Sequence, residues 1–451
     1  SITGHQFFAA VSGYALVNNS NHFARQVDDH TCPVLCRTNV CTKKRITSVI
    51  TVQFISAARN RSESNRSRIV KHLYHNGISS RAQIAKALEL TPAAITKITA
   101  RLIEAGMIEE TGDLEGSKNR RSIGLKLNTT HFRIIGIKFA RSLVQIGVFD
   151  LCGNTLSFEN LPTVCDNTIN DSIVTIHQRV EQLLDNDPSI VAIGMAVPGP
   201  YLRNVGRTAV VSNMQGWRKI NFIDEFATAF RVPVFIEQDA RAGALAHYLF
   251  DPSVHADDNL AYYLVGEGVG LGVIDNGRLI NGFLGAATEI GHISIDVNGR
   301  PCDCGNVGCL ERYCSTPAIH DTLIADGTVV PGAADMTHTE AARALFAKAG
   351  DGDEAAIAIV REVARYVGYG CVTIFNGYNP EHIIIGDIVS EAGPILLDEV
   401  RATVAERAIP EINASTSISL STLSADAAVS GAAAVAVTQF LEHPSVFFDV
   451  S

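Results

Sequence analysis

One histidine and three cysteines form a compact group of metal-binding residue types in the second half of the chain: His292, Cys302, Cys304 and Cys309. Three thiolates and one imidazole make a closed tetrahedral ligand set for zinc. Two glycines between the cysteines let the backbone turn tightly at this spacing. The pattern therefore predicts a structural zinc site. The alternative is three reduced cysteines in a loop beside a histidine of the core.

Two carboxylates flank this predicted metal loop, Glu289 on one side and Glu311 on the other. A metal that clamps the loop would hold both carboxylates, and the free face of His292, at fixed positions. Carboxylates accept hydrogen bonds, which suits a ligand rich in hydroxyl groups. We therefore expect the metal to shape a binding site.

Charge is distributed unevenly along the 451 residues, which carry a formal net charge of −10. Residues 61–126 contain 12 Lys and Arg against 7 Asp and Glu, a net +5, so the remainder carries −15. A basic segment joined to an acidic body indicates that only this segment meets a polyanion. The length and the 46% hydrophobic content favour two or three globular domains.

Ten cysteines are few for this length, which favours a cytoplasmic protein in a reducing environment over a disulfide-linked one. No apolar run in the sequence reaches the roughly 18 residues that a membrane span requires, so no membrane partner is expected. Residues 1–60 lack clear periodicity and are expected to be a poorly ordered or uncertain extension. A second metal site at Cys32, Cys36 and Cys41 beside His30 is the alternative there.

The basic segment, residues 61–128, has the pattern of three helices followed by two short strands. Helices are expected at residues 65–75, from Ser80 and from Thr91, and strands at 107–110 and 122–127. Ser80 with Gln83 forms a capping box, and Thr91 before Pro92 is an N-cap with proline in the first turn. This order predicts a winged helix-turn-helix DNA-binding domain.

In such a domain the N-terminal residues of the recognition helix enter the major groove. The residues expected to contact bases there are Thr91, Ala93, Ala94, Thr96 and Lys97. The turn between the two strands is a basic wing, where Arg120 and Arg121 are expected to reach phosphates or a narrow minor groove. The alternative is a small helical interaction module that touches no DNA.

From residue 129 onward, apolar strands alternate with amphipathic helices, which predicts α/β layers. Strands are expected at residues 133–139, 143–149, 190–197, 232–237, 260–265 and 382–386. Helices are expected at residues 169–184, 240–249 and about 427–441. Asn276-Gly277 marks a hairpin turn. A strand-rich unit repeated in two halves would place ligands in the cleft between them.

A series of motifs in this region resembles those of the ROK family of bacterial repressors, open reading frames and sugar kinases. The motifs are Pro198-Gly199-Pro200, Asp239 after a strand, Gly-x-Gly-x-Gly ending at Gly272, Glu-x-Gly-His ending at His292, and Cys-x-Cys-Gly-x-x-Gly-Cys-Leu-Glu at residues 302–311. The resemblance extends over about residues 65–440. The winged helix at its start is typical of the repressor branch.

This resemblance implies an actin-like, two-lobed ATPase fold behind the winged helix-turn-helix. The first lobe is expected at residues 129–245, with a C-terminal helix at about 427–451 returning to it. The second lobe is expected at residues 246–426 and contains the zinc loop.

The resemblance also implies a sugar site. Its residues are Gly199, Asn213, Gln238, Asp239, Glu289, His292 and Glu311. In the family's kinases the Asp239 position takes the proton from the attacking sugar hydroxyl. Gln238 stands where the family has asparagine, so the identity of the sugar stays open.

Two departures from the kinase pattern concern the nucleotide. The kinases' Asp-x-Gly-Gly-Thr turn is replaced by residues 136–142, with Lys138 at the aspartate position and without the paired glycines. Glycine amides wrap phosphates closely, and this turn lacks them. Later, the kinases' Gly-Gly is Gly386-Asp387 here, which places a negative charge where a nucleotide would sit.

Two hypotheses follow from these patterns. The first is a sugar-responsive transcriptional regulator without enzymatic activity. It would be a repressor that binds operator DNA as a homodimer or dimer of dimers and is released by a sugar or sugar derivative. The second is a sugar kinase that carries a DNA-binding domain and phosphorylates hexoses with ATP. Lys138 and Asp387 favour the first hypothesis, although an activator is left open.

Overall fold

A computed structural model describes residues 61–114, 122–140, 143–165, 167–209, 215–423 and 427–448. The expectations for residues 1–60, for Arg120 and Arg121, and for Asn213 lie outside these residues. Within the described ranges, no helix is long and apolar enough to cross a membrane.

The first folded region is a winged helix-turn-helix. Its elements are α1 (Arg61–Asn76), β1 (Ser79–Ser80), α2 (Arg81–Leu88), α3 (Pro92–Glu104), β2 (Ile108–Leu114) and β3 (Ser122–Leu127). The three strands pair in the order β1-β3-β2. Strand β2 extends further than the residues 107–110 predicted for it, and residues 115–121 after it lie outside the described part.

Local capping explains why α2 and α3 begin where they do. The Ser80 side chain accepts from the Gln83 amide while the Gln83 side chain accepts from the Ser80 amide, which confirms the predicted capping box. Thr91 caps α3 by accepting from the Ala94 amide at 3.3 Å. Glu89, with a φ of 53°, ends α2 in the left-handed region and makes the turn between the two helices.

The second region contains a five-stranded sheet. Its elements are β4 (Arg133–Phe139), β5 (Val144–Asp150), β6 (Thr155–Asn160), α4 (Ile169–Asn186), β7 (Ile190–Val197), β8 (Tyr201–Leu202), β9 (Arg207–Thr208), α5 (Phe222–Phe226), β10 (Val234–Gln238) and α6 (Asp239–Phe250). The strand order is β10-β7-β4-β5-β6. Strands β4, β5 and β6 form an antiparallel meander, and β7 and β10 continue the sheet in parallel with β4.

The third region repeats this design. Its elements are β11 (Leu260–Val265), β12 (Val269–Asp275), β13 (Arg278–Leu279), α7 (Glu311–Cys314), α8 (Thr316–Asp326), α9 (His338–Gly350), α10 (Glu354–Tyr378), β14 (His382–Gly386), α11 (Pro394–Arg407), α12 (Pro410–Asn413) and β15 (Ser417–Leu420). A last helix, α13 (Ala427–Glu442), follows it in the chain. The strand order is β13-β12-β11-β14-β15. Again an antiparallel meander is followed by two strands parallel to its first member.

Helix α13 lies directly on the first sheet. A Cβ added at Gly194 of β7 would stand 1.8 Å from the Ala432 carbonyl oxygen, so only glycine permits this approach. Helix α6 contacts the second sheet just as closely, because a Cβ at Gly272 would lie 2.4 Å from the Ala240 carbonyl oxygen. Helix α6 therefore packs on both halves of the α/β domain.

Candidate functional site

The four predicted metal ligands come together in one loop. The ligand atoms of His292, Cys302, Cys304 and Cys309 all lie within 4.8 Å of one another. Nδ1 of His292 is 3.8 Å from the Cys302 Sγ, and the Cys304 and Cys309 Sγ atoms are 3.6 Å apart. With zinc–sulfur bonds of about 2.3 Å, the corners of a tetrahedron are about 3.8 Å apart. The donor set and its spacing are therefore consistent with a zinc site.

The backbone of this loop folds the ligands together through local bonds. The Cys302 amide donates to the Asn306 carbonyl at 2.9 Å, and the Asn306 side-chain amide donates to the His292 carbonyl at 3.1 Å. Gly308, at a φ of 72°, allows a contact in which a Cβ would stand 1.7 Å from the Asp296 carbonyl oxygen. A side chain at position 308 would push Cys309 away from the other ligands.

Protonation of the thiols opposes metal binding. Burial, followed by hydrogen bonds and charges from the neighbouring thiols, raises the pKa of the Cys309 thiol to about 12. Zinc binds thiolates and releases their protons. Zinc binding at this loop would therefore be coupled to proton release.

Both flanking carboxylates are tied to this loop. A 3-10 turn, Ile290–His292, follows Glu289, and the His292 amide donates to the Glu289 carbonyl at 3.2 Å. Glu311 is the first residue of α7, and its Oε2 accepts from the Val269 amide at 2.9 Å. The loop thus connects Glu289 and Glu311 to the start of β12.

Two parallel strands of the first sheet, β7 and β10, position the predicted sugar-site residues that lie outside the metal loop. Gln238, the last residue of β10, is in register with Val197, the last residue of β7. The carboxyl ends of parallel strands lie at one edge of a sheet, so Gly199 and Asp239 follow at the same place. A Cβ at Gly199 would lie 2.1 Å from the Gln238 Nε2, so a side chain at position 199 would displace the Gln238 carboxamide.

The residues at the ends of β7 and β10 meet the carboxylates that flank the metal loop in a polar cluster. We call this cluster the junction site: Gly199, Gln238, Asp239, Glu289 and Glu311. The Gln238 Nε2 donates to the Glu289 Oε1 at 3.3 Å. Burial raises the pKa of Glu289 to about 7; the Arg241 guanidinium opposes this, and the carboxylates of Asp239 and Glu311 add to it. The site thus offers three carboxylates and a carboxamide, a set that can satisfy several hydroxyl groups.

A buried ion cluster behind the junction site was not predicted. Arg241, fully buried, donates from Nε to the Glu237 Oε1 at 2.8 Å and from a terminal nitrogen to the Ala287 carbonyl at 3.3 Å. Arg203 pairs with the same Glu237 and donates to the Asn281 side chain at 2.9 Å. The cluster joins the strand before Asp239 to the segment before Glu289. The i,i+4 pair of Glu237 and Arg241 was the only sequence signal for it.

Asp387 and Lys138 are the two residues expected to disfavour a bound nucleotide. Asp387 has a φ of 69°, in the left-handed region that favours glycine. A Cβ at Gly266 would lie 2.4 Å from the Asp387 Oδ2, so this carboxylate lies directly against the glycine-rich turn before β12. Lys138 is half-buried near the end of β4, opposite Gln145.

The recognition helix presents most of the predicted DNA-contacting residues to solvent. Thr91, Ala93, Thr96 and Lys97 are exposed, and Ala94 is half-buried. The opposite face of α3 is buried through Ile95, Ile98 and Leu102. The hydroxyl of Thr96 donates to the Pro92 carbonyl at 2.9 Å, which leaves its oxygen free to accept from a base or a phosphate group.

Residues 134–439 match the family model described as ROK, and residues 63–109 match that of winged helix-turn-helix DNA-binding domains. The DNA-binding transcriptional dual regulator NagC of Escherichia coli (strain K12) is 30% identical over 355 residues, covering 76% of this chain and 85% of that protein. The xylose repressor of Bacillus spizizenii is 27% identical over 386 residues, covering 84% and 96% respectively.

Solved structures show the same relationship. A ROK family transcriptional regulator, a homolog of the E. coli MLC protein, has a TM-score of 0.73 at 28% identity and covers 86% of this chain and 99% of that chain. A ROK family glucokinase from Streptomyces griseus, in complex with glucose and AMPPNP, has a TM-score of 0.58 at 26% identity and covers 67% and 98%. The chain therefore belongs to the ROK family, with a winged helix-turn-helix DNA-binding domain ahead of a two-sheet, sugar-kinase-like α/β domain.

Proposed function

We propose that this protein is a transcriptional repressor that binds operator DNA and is released by a sugar or sugar derivative at the junction site. One observation carries the proposal: an exposed recognition helix and a partly buried set of three carboxylates and a carboxamide belong to one continuous fold. The relatives that are repressors support the DNA-binding role. The ROK glucokinase solved with glucose supports a sugar as the ligand class.

At the junction site, Asp239, Glu289 and Glu311 accept hydrogen bonds from sugar hydroxyls, and the Gln238 carboxamide both donates and accepts. Gly199 allows the sugar to approach the backbone, and Asn213 and the ring nitrogen of His292 that faces away from the metal complete the set. The Gln238 Oε1 is buried and has no hydrogen-bond partner within the described residues. A ligand hydroxyl or N–H is the donor that would satisfy it.

The metal has a structural role in this proposal. Zinc held by His292, Cys302, Cys304 and Cys309 would fix the loop between Glu289 and Glu311. Its four protein ligands leave no position open for substrate. Removal of zinc is therefore expected to reduce sugar binding, because Glu289 and Glu311 would no longer be held in position.

DNA binding is proposed to require a homodimer or a dimer of dimers. One winged helix offers few base contacts, here from Thr91, Ala93, Ala94, Thr96 and Lys97, with Arg120 and Arg121 added from the wing. Two-fold symmetry on a palindromic site doubles these contacts. Equal affinity of a monomer for a half-site and for the full palindrome, measured by analytical ultracentrifugation and gel shift, would rule out this assembly.

A sugar kinase with a DNA-binding domain is the second candidate, because Asp239 holds the position of the kinases' catalytic base. Against it stand Lys138 at the phosphate-binding turn and the Asp387 carboxylate against Gly266, where it would repel a nucleotide phosphate. Incubation of the zinc-loaded protein with ATP and a panel of hexoses decides between them. We expect no ADP release above the ATP-only control, and turnover at enzymatic rates would favour the kinase.

The ligand is identified by thermal shift with glucose, xylose, N-acetylglucosamine and their 6- or 5-phosphates. A sugar that binds raises the melting temperature by mass action. Operator DNA is obtained by selection from a random duplex pool with the full chain. If no sugar raises the melting temperature and no duplex is enriched, the proposed function is wrong.

A further inference from the structure

Tyr74 connects the DNA-binding domain to two separate elements of the α/β domain. It lies in the last turn of α1, and its hydroxyl is 3.1 Å from the Leu151 carbonyl oxygen and 3.3 Å from the Leu249 carbonyl oxygen. A phenol has one hydrogen to donate, so the two carbonyls share it. Such a shared bond is sensitive to the relative position of its two acceptors.

The two acceptors belong to different elements. Leu151 follows β5 and belongs to the first sheet's meander, whereas Leu249 lies in the last turn of α6. Helix α6 begins with Asp239 at the junction site, directly after Gln238. Its 12 residues span about 18 Å at 1.5 Å per residue. This one helix therefore has the Asp239 carboxylate at one end and an acceptor of Tyr74 at the other.

Close packing makes α6 a rigid connector. A Cβ at Gly431 of α13 would stand 3.2 Å from the Ala242 carbonyl carbon, and a Cβ at Gly272 of β12 would lie 2.4 Å from the Ala240 carbonyl oxygen. Helix α6 is thus held by backbone-close contacts on two sides. Close-packed protein interiors have low compressibility, so they transmit a displacement and do not absorb it.

The last turn of α6 makes further contacts near Tyr74. The Tyr248 ring meets the ring of His75 edge-on at 6.2 Å between centroids. Phe250 packs so closely on the β5–β6 turn that a Cβ at Gly153 would lie 2.5 Å from its ring. A movement of α6 would therefore displace both α1 and the turn beside Leu151.

We propose that α6 couples the junction site to the DNA-binding domain, and that Tyr74 is the positioning residue that senses the displacement of α6. The inference rests on the proposed function and names its route of regulation. Ligand hydroxyls that engage Gln238 and Asp239 shift α6, and the Leu249 carbonyl moves relative to that of Leu151. The Tyr74 hydroxyl then no longer bridges both, and α1 changes its angle.

The change of angle reaches the DNA through one continuous core. Ile69 and Leu73 of α1 belong to the same buried cluster as Ile95 and Leu102 of the recognition helix α3. A tilt of α1 therefore carries α3 with it. In a dimer on a palindrome, a tilt of both recognition helices changes the distance between them, and half-site spacing tolerates little error.

The test variant is Tyr74→Phe, which removes the hydroxyl and keeps the packed ring. Lys71→Ala is the matched control in the same helix, because Lys71 pairs with Glu442 at 3.2 Å in a partly exposed ion pair. Such surface pairs contribute little. The quantity measured is the coupling factor, the ratio of operator Kd with saturating sugar to that without sugar. The probes are the selected duplex and whichever of glucose, xylose or N-acetylglucosamine gives the largest thermal shift.

For Tyr74→Phe we expect sugar affinity without DNA to stay within about twofold, and the coupling factor to fall about fivefold or more. Lys71→Ala is expected to leave the coupling factor within about twofold. An unchanged coupling factor in Tyr74→Phe, or an equal loss in both variants, overturns the inference and leaves the proposed function standing. A wild-type protein whose operator affinity no panel sugar changes overturns both.

Hydrogen exchange of the wild-type protein provides a second readout if Tyr74→Phe does not fold. Sugar is expected to change the protection of amides in residues 239–250 and in the last turn of α1, around Tyr74. Changes confined to the zinc loop and the first residues of α6 would contradict the route through Tyr74.

Discussion

Glu289 is a half-buried carboxylate beside two others, and we expect this to make ligand binding pH-dependent. Its pKa of about 7 is raised chiefly by burial, with Asp239 and Glu311 adding to the effect. Sugar hydroxyls donate to the ionised carboxylate and lower its pKa in the complex, so binding releases a proton. We therefore expect affinity to rise with pH up to about 7, by at most about tenfold per pH unit, and to be flat above it.

Calorimetry of sugar binding between pH 5.5 and 8.5 checks this, with zinc content verified at each pH. Glu289→Gln cannot ionise, so its affinity is expected to be lower and independent of pH in this window. A wild-type affinity that falls as pH rises towards 7 would contradict the assignment of Glu289 as an acceptor.

Asp239 is expected to sense the ligand without contributing to DNA contacts, since it is the first residue of α6 and lies outside the winged helix-turn-helix. Asp239→Asn keeps the size of the side chain and removes its charge. Operator binding should be intact, and release by sugar should be lost because the hydroxyl acceptor is weakened. Gel shift with and without sugar measures both quantities. Asp224→Asn, an exposed aspartate of α5, is the control and should respond as wild type.

At the scale of elements, the zinc loop is expected to stabilise the second half of the fold. Cys304→Ala removes one of four ligands, and the protein should lose its zinc and its sugar response together. A decrease of only about 2 kcal/mol in the free energy of unfolding lowers the melting temperature by about 4–8 °C in a domain of 150–250 residues. Metal analysis and thermal melts measure this, with the exposed Cys165→Ala as control. Full operator binding by a zinc-free protein with normal sugar response would refute the structural role.

The recognition helix and the wing should differ in how they affect binding. Lys97 is exposed on α3, and Lys97→Ala is expected to change which bases are preferred. Arg121→Ala is expected to weaken binding to all sequences and to reduce the slope of log affinity against log salt by about 1. Salt titrations on the selected duplex and on its point variants separate these effects. A Lys97→Ala protein with unchanged base preference would remove Lys97 from base contact.

Elements with a strong local signal were predicted well from the sequence. Strands β4, β7, β11 and β14 have the predicted bounds because they are nearly continuous apolar runs. Pro198 follows β7, Gly266 follows β11 and Asp387 follows β14. Strands β6 and β15 were missed because they lie at sheet edges, where exposed and half-buried positions replace the apolar alternation. Their pairing depends on partners elsewhere in the chain.

In the candidate site, too, features set by local sequence were predictable and features set by distant contacts were not. The metal ligands lie within 18 residues, so their spacing was visible, and the structure brings them together. The ion cluster of Arg203, Glu237 and Arg241 depends on contacts with residues 281 and 287, which no local pattern reveals. The contact of Tyr74 with Leu249 joins residues 175 positions apart and is likewise invisible in the sequence.

At the scale of the whole molecule, the first lobe supplies Gln238 and Asp239, the second supplies Glu289 and Glu311, and α1 is bonded to the far end of α6. The proposed ligand site and the recognition helix therefore belong to one connected body. Thermodynamic linkage requires the coupling to be reciprocal: if sugar weakens operator binding by a given factor, operator must weaken sugar binding by the same factor. A coupling of roughly 1–3 kcal/mol is enough to change occupancy about 5–150-fold.

The most direct test of the account is a pair of titrations on the wild-type, zinc-loaded protein. Fluorescently labelled operator is titrated with and without saturating sugar, and sugar is titrated calorimetrically with and without operator. We expect sugar to weaken operator binding about fivefold or more, and operator to weaken sugar binding by the same factor. Tighter operator binding in the presence of sugar, or the absence of any mutual effect, would contradict release of a repressor by its ligand.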